Sequence, residues 1–144
     1  MFHVISEFGL SETGEVFRSQ IRTLEFVADM RFYNEDRIGD ILPLCSGLKE
    51  MHYYVLFTCL PAVRVQDQAF GTVETIGLHA KRNPSWTPAD LGGHLNNHVE
   101  FVTGPIFPNL RTLVLYGDWD GLIAGIPLLE PSILSSRIKV IRIP

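Results

Sequence analysis

The chain has 144 residues, 46% of them apolar, enough for one domain with a sizeable core. A charged fraction of 19% argues against disorder, and a net charge of −4, a pI near 5.7 and scattered Lys and Arg argue against nucleic-acid binding. Cys45 and Cys59 are too few for a disulfide scaffold, no apolar run reaches a membrane span, and residues 1–7 lack the basic start and apolar core of a signal peptide, so the expected address is cytoplasmic or nuclear.

In chain order, residues 2–8 read as an apolar, partly β-branched strand. Ser11-Glu12-Thr13 offers a helix start, with Val16, Phe17, Ser19 and Gln20 behind it and Gly14 weakening it. A first clear strand follows over 23–27. Residues 29–37 form a polar loop carrying Phe32 and Tyr33. Asn34, Glu35 and Asp36 are start signals for a helix through Ile38, Ile41 and Leu42, which share one helical face. Pro43 kinks or ends that helix, and Gly47 is a stop. A second strand spans 50–54, with an extension towards Phe57. Residues 60–70 are the least regular stretch, and Pro61 argues against a central strand beginning before it.

A third strand takes 75–79. Thr87-Pro88-Ala89-Asp90 is the clearest capping signal: a Thr cap, a Pro at the first helical position and an acid in the first turn. Leu91, Leu95, His98, Val99 and Val102 continue at helical spacing across Gly92 and Gly93, and Gly104-Pro105 closes the helix. A fourth strand occupies 112–116. Gly117-Asp118-Trp119-Asp120-Gly121 is a turn. Residues 122–129 are apolar but broken by Gly125 and Pro127, Pro131-Ser132-Ile133-Leu134 starts a last helical turn, and a fifth strand runs over 140–143.

Five of these segments are spelled alike, as apolar-x-x-apolar-x-apolar: Ile21-Arg22-Thr23-Leu24-Glu25-Phe26, Leu48-Lys49-Glu50-Met51-His52-Tyr53, Val73-Glu74-Thr75-Ile76-Gly77-Leu78, Leu110-Arg111-Thr112-Leu113-Val114-Leu115 and Ile138-Lys139-Val140-Ile141-Arg142-Ile143. They start at 21, 48, 73, 110 and 138, in steps of 27, 25, 37 and 28, and the helix after Thr87 accounts for the long step. Three of the steps lie in the range of leucine-rich repeats. Leu60-Pro61-Ala62-Val63-Arg64-Val65 is a stray match off the period; paired polar x positions in four of the five, and helix signals in several of the gaps, set them apart. The expected fold is therefore α/β, a solenoid of about five repeats with parallel strands on the concave face and helices on the convex face. The rival is an ordinary α/β domain with unrelated strands. Residues past Ile143 that would cap the last strand are missing, so the expectation is a fragment or short relative of a longer array.

Phe107-Pro108-Asn109-Leu110-Arg111-Thr112-Leu113-Val114-Leu115-Tyr116-Gly117 resembles strand segments of F-box/leucine-rich-repeat proteins, especially divergent fungal ones, and Leu44-Cys45-Ser46-Gly47-Leu48-Lys49-Glu50-Met51 resembles their helix-to-strand junction. The resemblance covers most of residues 21–143. It implies binding of a protein substrate by the repeats, while a separate F-box joins a ubiquitin-ligase scaffold through an adaptor. No F-box is legible here, because Ile41-Leu42-Pro43-Leu44 is too isolated to serve, so the adaptor would be reached only through an F-box supplied elsewhere. Asp29 and Asp118 stand where regular repeats carry Asn or Cys, and a carboxylate cannot donate as an Asn amide does.

If the strands stack, Leu24/Phe26, Met51/Tyr53, Ile76/Leu78, Leu113/Leu115 and Ile141/Ile143 point inward and the alternate residues face the partner. The candidate partner-binding residues on that face are Glu25, His52, Tyr54, His79, Tyr116 and Arg142, with Trp119 beyond, since Tyr, His, Trp and Arg suit interfaces. The bland alternative is that exposed Tyr and His decorate a sheet.

Other chemistry is poorly supported. His94 and His98 share a helix face at i, i+4 but lack the Glu of a metalloprotease helix and a second ligand cluster. Asp118-Trp119-Asp120-Gly121 opens like a calcium loop, then continues with Leu122, Ile123 and Ala124. No phosphate loop or nucleophile elbow occurs. The expectation is a protein-binding module that has no catalytic residues, cofactor or metal and binds neither nucleic acid nor membrane. The alternatives are a small α/β enzyme using His79, His94, His98 or Asp118 at strand ends, and a structural remnant of a larger repeat protein.

Overall fold

The computed structural model describes residues 18–26, 42–55, 68–80, 88–117, 119, 129 and 136–144. Five strands, β1 (Thr23–Phe26), β2 (Glu50–Tyr54), β3 (Thr75–Ala80), β4 (Thr112–Gly117) and β5 (Lys139–Ile143), form one sheet in the order β1-β2-β3-β4-β5. Every adjacent pair is parallel. Sequence neighbours are thus spatial neighbours throughout, and each connection must cross over to start the next strand at the same end. A 3-10 turn (Leu42–Leu44) lies in the β1–β2 connection, where the sequence predicts the end of a helix at Pro43. The α-helix α1 (Pro88–Thr103) lies in the β3–β4 connection.

Helix α1 begins at the Pro of the capping signal, where the missing N–H would have had no helical acceptor. It continues through Gly92 and Gly93 and ends one residue before Gly104. Leu95, Val99 and Val102 are fully buried in the same cluster as Leu24, Met51, Ile76 and Leu113 of the strands, so α1 covers one face of the sheet, here called the inner face. Those four strand residues are each at most 2% exposed. Burial of each is worth about 1.5–3 kcal/mol over leaving it in water.

The chain enters four of the strands through the same turn. Backbone N–H groups of Ile21, Leu48, Val73 and Leu110 donate to the carbonyls of Arg18, Cys45, Phe70 and Phe107 respectively, each three residues back. The strand entries are also laddered alike. The N–H groups of Lys49 and Glu50 share the Arg22 carbonyl, those of Glu74 and Thr75 share that of Lys49, and those of Arg111 and Thr112 share that of Glu74. The Arg22 side chain ties two of these turns together, its Nη1 donating to the carbonyls of Ser19 (2.6 Å) and Gly47 (3.2 Å). Asn109 Nδ2 links the next two by donating to the Gly71 carbonyl at 2.7 Å.

In the first four strands the register is the one the repeated spelling predicts: Thr23, Glu50, Thr75 and Thr112 are equivalent, as are Leu24, Met51, Ile76 and Leu113. The fifth is displaced by one residue. Thr112 pairs with Lys139, Leu113 with Val140 and Leu115 with Arg142. Residues that pair in a parallel sheet share a face, so Val140 and Arg142 lie on the inner side and Ile141 and Ile143 on the outer side, the reverse of the sequence expectation. Val140 packs against the core, and its β-branched side chain fills the inner position as well as the expected Ile141 would.

Strand β4 ends at Gly117, whose φ of +96° suits Gly alone, and a Cβ there would lie 2.5 Å from the Ala80 carbonyl oxygen. The expected strand at 2–8, the helix start at 11–13, the loop at 29–37, most of the helix leading to Leu42, the irregular stretch before Gln68, the segment 122–128 and the helical turn at 131–134 lie outside the described residues. Among the described residues no helix is long and apolar enough to cross a membrane.

Candidate functional site

The outer face of the sheet is where strand alternation sends the polar and aromatic side chains. Reading across the paired strands gives three rows. The first is Thr23, Glu50, Thr75, Thr112 and Lys139. The second is Glu25, His52, Gly77, Val114 and Ile141. The third is Tyr54, His79, Tyr116 and Ile143.

The middle of this face is tightly built. Gly77 leaves a hollow on β3, and the imidazole of His52 leans from β2 into it; a Cβ at Gly77 would collide with Nδ1 of His52 and come within 2.7 Å of its Cε1. The other end of the ring is held by Glu50, two residues earlier on the same face: His52 Nε2–H donates to Glu50 Oε1 at 2.6 Å. So placed, the His52 ring lies 5.7 Å from the rings of both His79 and Tyr116, centroid to centroid. Val114, beside Gly77, is 7% exposed although it faces away from the core.

His79 is sandwiched between tyrosines on adjacent strands. Its ring stacks on Tyr116 and lies 5.0 Å from the Tyr54 ring at a tilt of 31°. Its Nε2 is buried without a hydrogen-bond partner among the described residues. Loss of solvent around the ring depresses its pKa below the ordinary histidine value; the neighbouring His52 adds to this and the Glu25 carboxylate opposes it. The shift favours the neutral imidazole.

Of the expected contact residues, Glu25, His52, Tyr54, His79 and Tyr116 come together on this face. Trp119 does not. It is 2% exposed, belongs to the core, and its Nε1–H is satisfied by the Tyr116 carbonyl at 2.9 Å. An indole placed just past the positive-φ glycine turns back under the sheet, where its large apolar area is worth most. Arg142 does not either, because the shifted β5 register puts it on the inner side, next to Leu115. Its place on the outer face is taken by Ile141 and Ile143, the latter 43% exposed. The sequence pattern also passes over the structural roles of Gly77 and Glu50. A glycine inside an otherwise regular strand is the signal that marks Gly77, since such a position often admits a neighbouring group.

Of the residues considered for catalysis, His79 and His98 are not brought together. His98 lies on the opposite side of the sheet from His79, buried in the core, with Nδ1 2.9 Å from the Tyr53 hydroxyl. The Asp118 position and the His94 side chain lie outside the described residues. Among the described residues no group of three His, Cys, Asp or Glu could hold a metal ion. Cys45 is buried, and burial pushes its thiol up to about 11, which fits a structural cysteine. Comparison with family models, characterised proteins and solved structures finds no match to this chain.

Proposed function

We propose that this chain is a non-enzymatic protein-interaction module, a leucine-rich-repeat solenoid that receives a protein partner on its concave strand face. The observation that carries the reading is the sheet itself: five parallel strands in chain order, one face sealed by the core and the other presenting a packed row of Tyr54, His79 and Tyr116. An open α/β enzyme fold binds its ligand where strand order reverses. Among the described residues the order has no reversal. The turn repeated before four strands supports a repeating unit as the basis of the fold. In its most specific form, carried by the resemblance to F-box/leucine-rich-repeat proteins, the chain is the substrate-recognition part of a ubiquitin-ligase receptor of the cytoplasm or nucleus. The adaptor contact then comes from an F-box outside the residues considered.

The test is proximity labelling and pull-down with mass spectrometry, using the wild-type chain and a Tyr54→Ala/Tyr116→Ala variant with an unchanged circular dichroism spectrum. The reading expects proteins captured by the wild type and lost in the variant. Equal capture by both removes the strand face as the contact surface. Recovery of ligase scaffold components supports the receptor form, and their absence from a well-expressed bait leaves a general binding scaffold.

A further inference from the structure

We infer that the partner offers an extended basic segment, with an arginine or lysine set against the carboxylates of Glu25 and Glu50, and an apolar side chain further along set against Ile141 and Ile143. This rests on the protein-recognition reading and names the chemistry that the same face selects.

The outer face is polarised across the strands. On β1 to β4 its outward positions carry two carboxylates, Glu25 and Glu50, and no Lys or Arg. On β5 they carry Lys139, Ile141 and Ile143. Glu25 is exposed, and Glu50, engaged by His52 through one oxygen, keeps its side chain 41% exposed. A partner's carboxylate brought to this side would meet two like charges. A guanidinium would meet two acceptors, and its planar fork suits carboxylates better than an ammonium does. At the other side, Ile143 is the exposed large apolar side chain among the described residues, adjacent to Tyr116 in the register. Burying it against a partner's apolar residue removes that area from water.

Spacing fixes the segment. Strands in a sheet lie about 4.8 Å apart, so the carboxylates of β1 and β2 stand roughly 14–19 Å from the isoleucines of β5. An extended peptide advances about 3.3 Å per residue, which separates the basic and the apolar residue by roughly four to six positions.

The experiment is selection of displayed dodecapeptides on the immobilised chain, followed by fluorescence anisotropy with the selected peptides. Peptides carrying Arg or Lys at that spacing from an apolar residue are expected. Their affinity should fall about five-fold in Glu25→Gln, further in Glu25→Lys, and should weaken as salt is added. Ile143→Ser should weaken it independently of salt. Peptides that need Tyr54 and Tyr116 yet contain no cation, or that bind Glu25→Lys as well as wild type, overturn the basic segment while leaving protein recognition in place. Selection of no peptide that depends on Tyr54 and Tyr116 overturns both.

Discussion

The imidazole of His79 lies flat on the phenol ring of Tyr116, centroids 4.3 Å apart and planes 7° apart. The pair is a direct product of parallel register, which sets the two residues at the same height on β3 and β4. Stacks of this kind contribute about 0.5–1.5 kcal/mol beyond the area they bury. Tyr116→Ala should therefore lower the free energy of urea unfolding by about 1–2 kcal/mol and leave the fold intact, whereas Tyr116→Phe, which keeps the ring, should cost much less. Equal losses in the two variants would show that the stack contributes nothing.

His79 also makes stability depend on pH, with a definite sign. Its folded pKa lies below the ordinary histidine value near 6.5, because the ring loses solvent and faces His52. Between that lowered value and 6.5 the unfolded chain binds more protons than the folded one, so stability falls as pH falls. The contribution is complete above the unfolded pKa and is lost on acidification through the window down to the folded pKa. Urea midpoints measured from pH 7.5 to 5.0 should decline less steeply in His79→Gln than in wild type. The titratable groups facing His79 are Glu25, His52, Tyr54 and Tyr116, and comparing the variant with wild type isolates its own part. Parallel curves would remove the linkage.

Gly77 and His52 are coupled through the hollow they share. A methyl at residue 77 collides with the His52 ring, so Gly77→Ala must push the imidazole off β3 and away from Tyr116. The gain from replacing a strand glycine is about 0.5–1 kcal/mol, and the overpacking cost about 1–3 kcal/mol, so a net loss is expected. In His52→Ala the obstacle is gone, and adding Gly77→Ala should then be neutral or stabilising. A double-mutant cycle by urea unfolding reads this as a coupling of the order of 1 kcal/mol or more. Strict additivity would mean that the ring does not occupy the hollow.

What the chain's spelling discloses is the inner face. Leu24, Met51, Ile76 and Leu113 announce themselves because strand alternation and the buried side coincide there, and the pattern returns at nearly regular intervals. The helix from Pro88 is equally legible, since Thr-Pro followed by an acid has few other uses. The pattern misleads at β5, where Ile138, Val140, Ile141 and Ile143 are all apolar and two registers satisfy it equally. Only pairing with β4 decides between them. Trp119 misleads for a different reason. Its amphipathic ring suits an interface as well as a core, and the direction of the chain after Gly117 is not written in the local composition. The Gly77 hollow requires knowing which residue sits opposite on the next strand, which a single strand cannot convey.

Cys45 offers a chemical check on the inner face. With its thiol pushed up to about 11 by burial, the thiolate fraction at pH 7 is on the order of one in ten thousand. Iodoacetamide at neutral pH should leave Cys45 unmodified in the folded chain and alkylate it in urea, as read by peptide mass mapping. Rapid native labelling would mean that Cys45 is not buried as the structure has it.

A buried polar contact joins helix α1 to strand β2. The Tyr53 hydroxyl and His98 Nδ1 lie 2.9 Å apart in the core, where Tyr53 is fully buried and His98 is 1% exposed. Burial drives the Tyr53 phenol far up, so it keeps its proton, and the two groups share one hydrogen bond. Tyr53→Phe deletes the hydroxyl and leaves the His98 nitrogen in a dry core without it, at a cost of about 1–3 kcal/mol. His98→Leu strands the hydroxyl at a similar cost. Removing both ends at once leaves neither group orphaned, so the double variant should lose less than the sum of the two single ones, by about 0.5–3 kcal/mol in a urea-unfolding cycle. Because α1 lies in the connection that leads into β4, the same bond is expected to steady the entry of the chain into β4. Amide exchange of the backbone N–H groups of β4 should therefore quicken in Tyr53→Phe more than in Tyr54→Ala, because Tyr54 lies on the opposite face. Equal protection in both variants would confine the bond to local packing and free the entry into β4 from it.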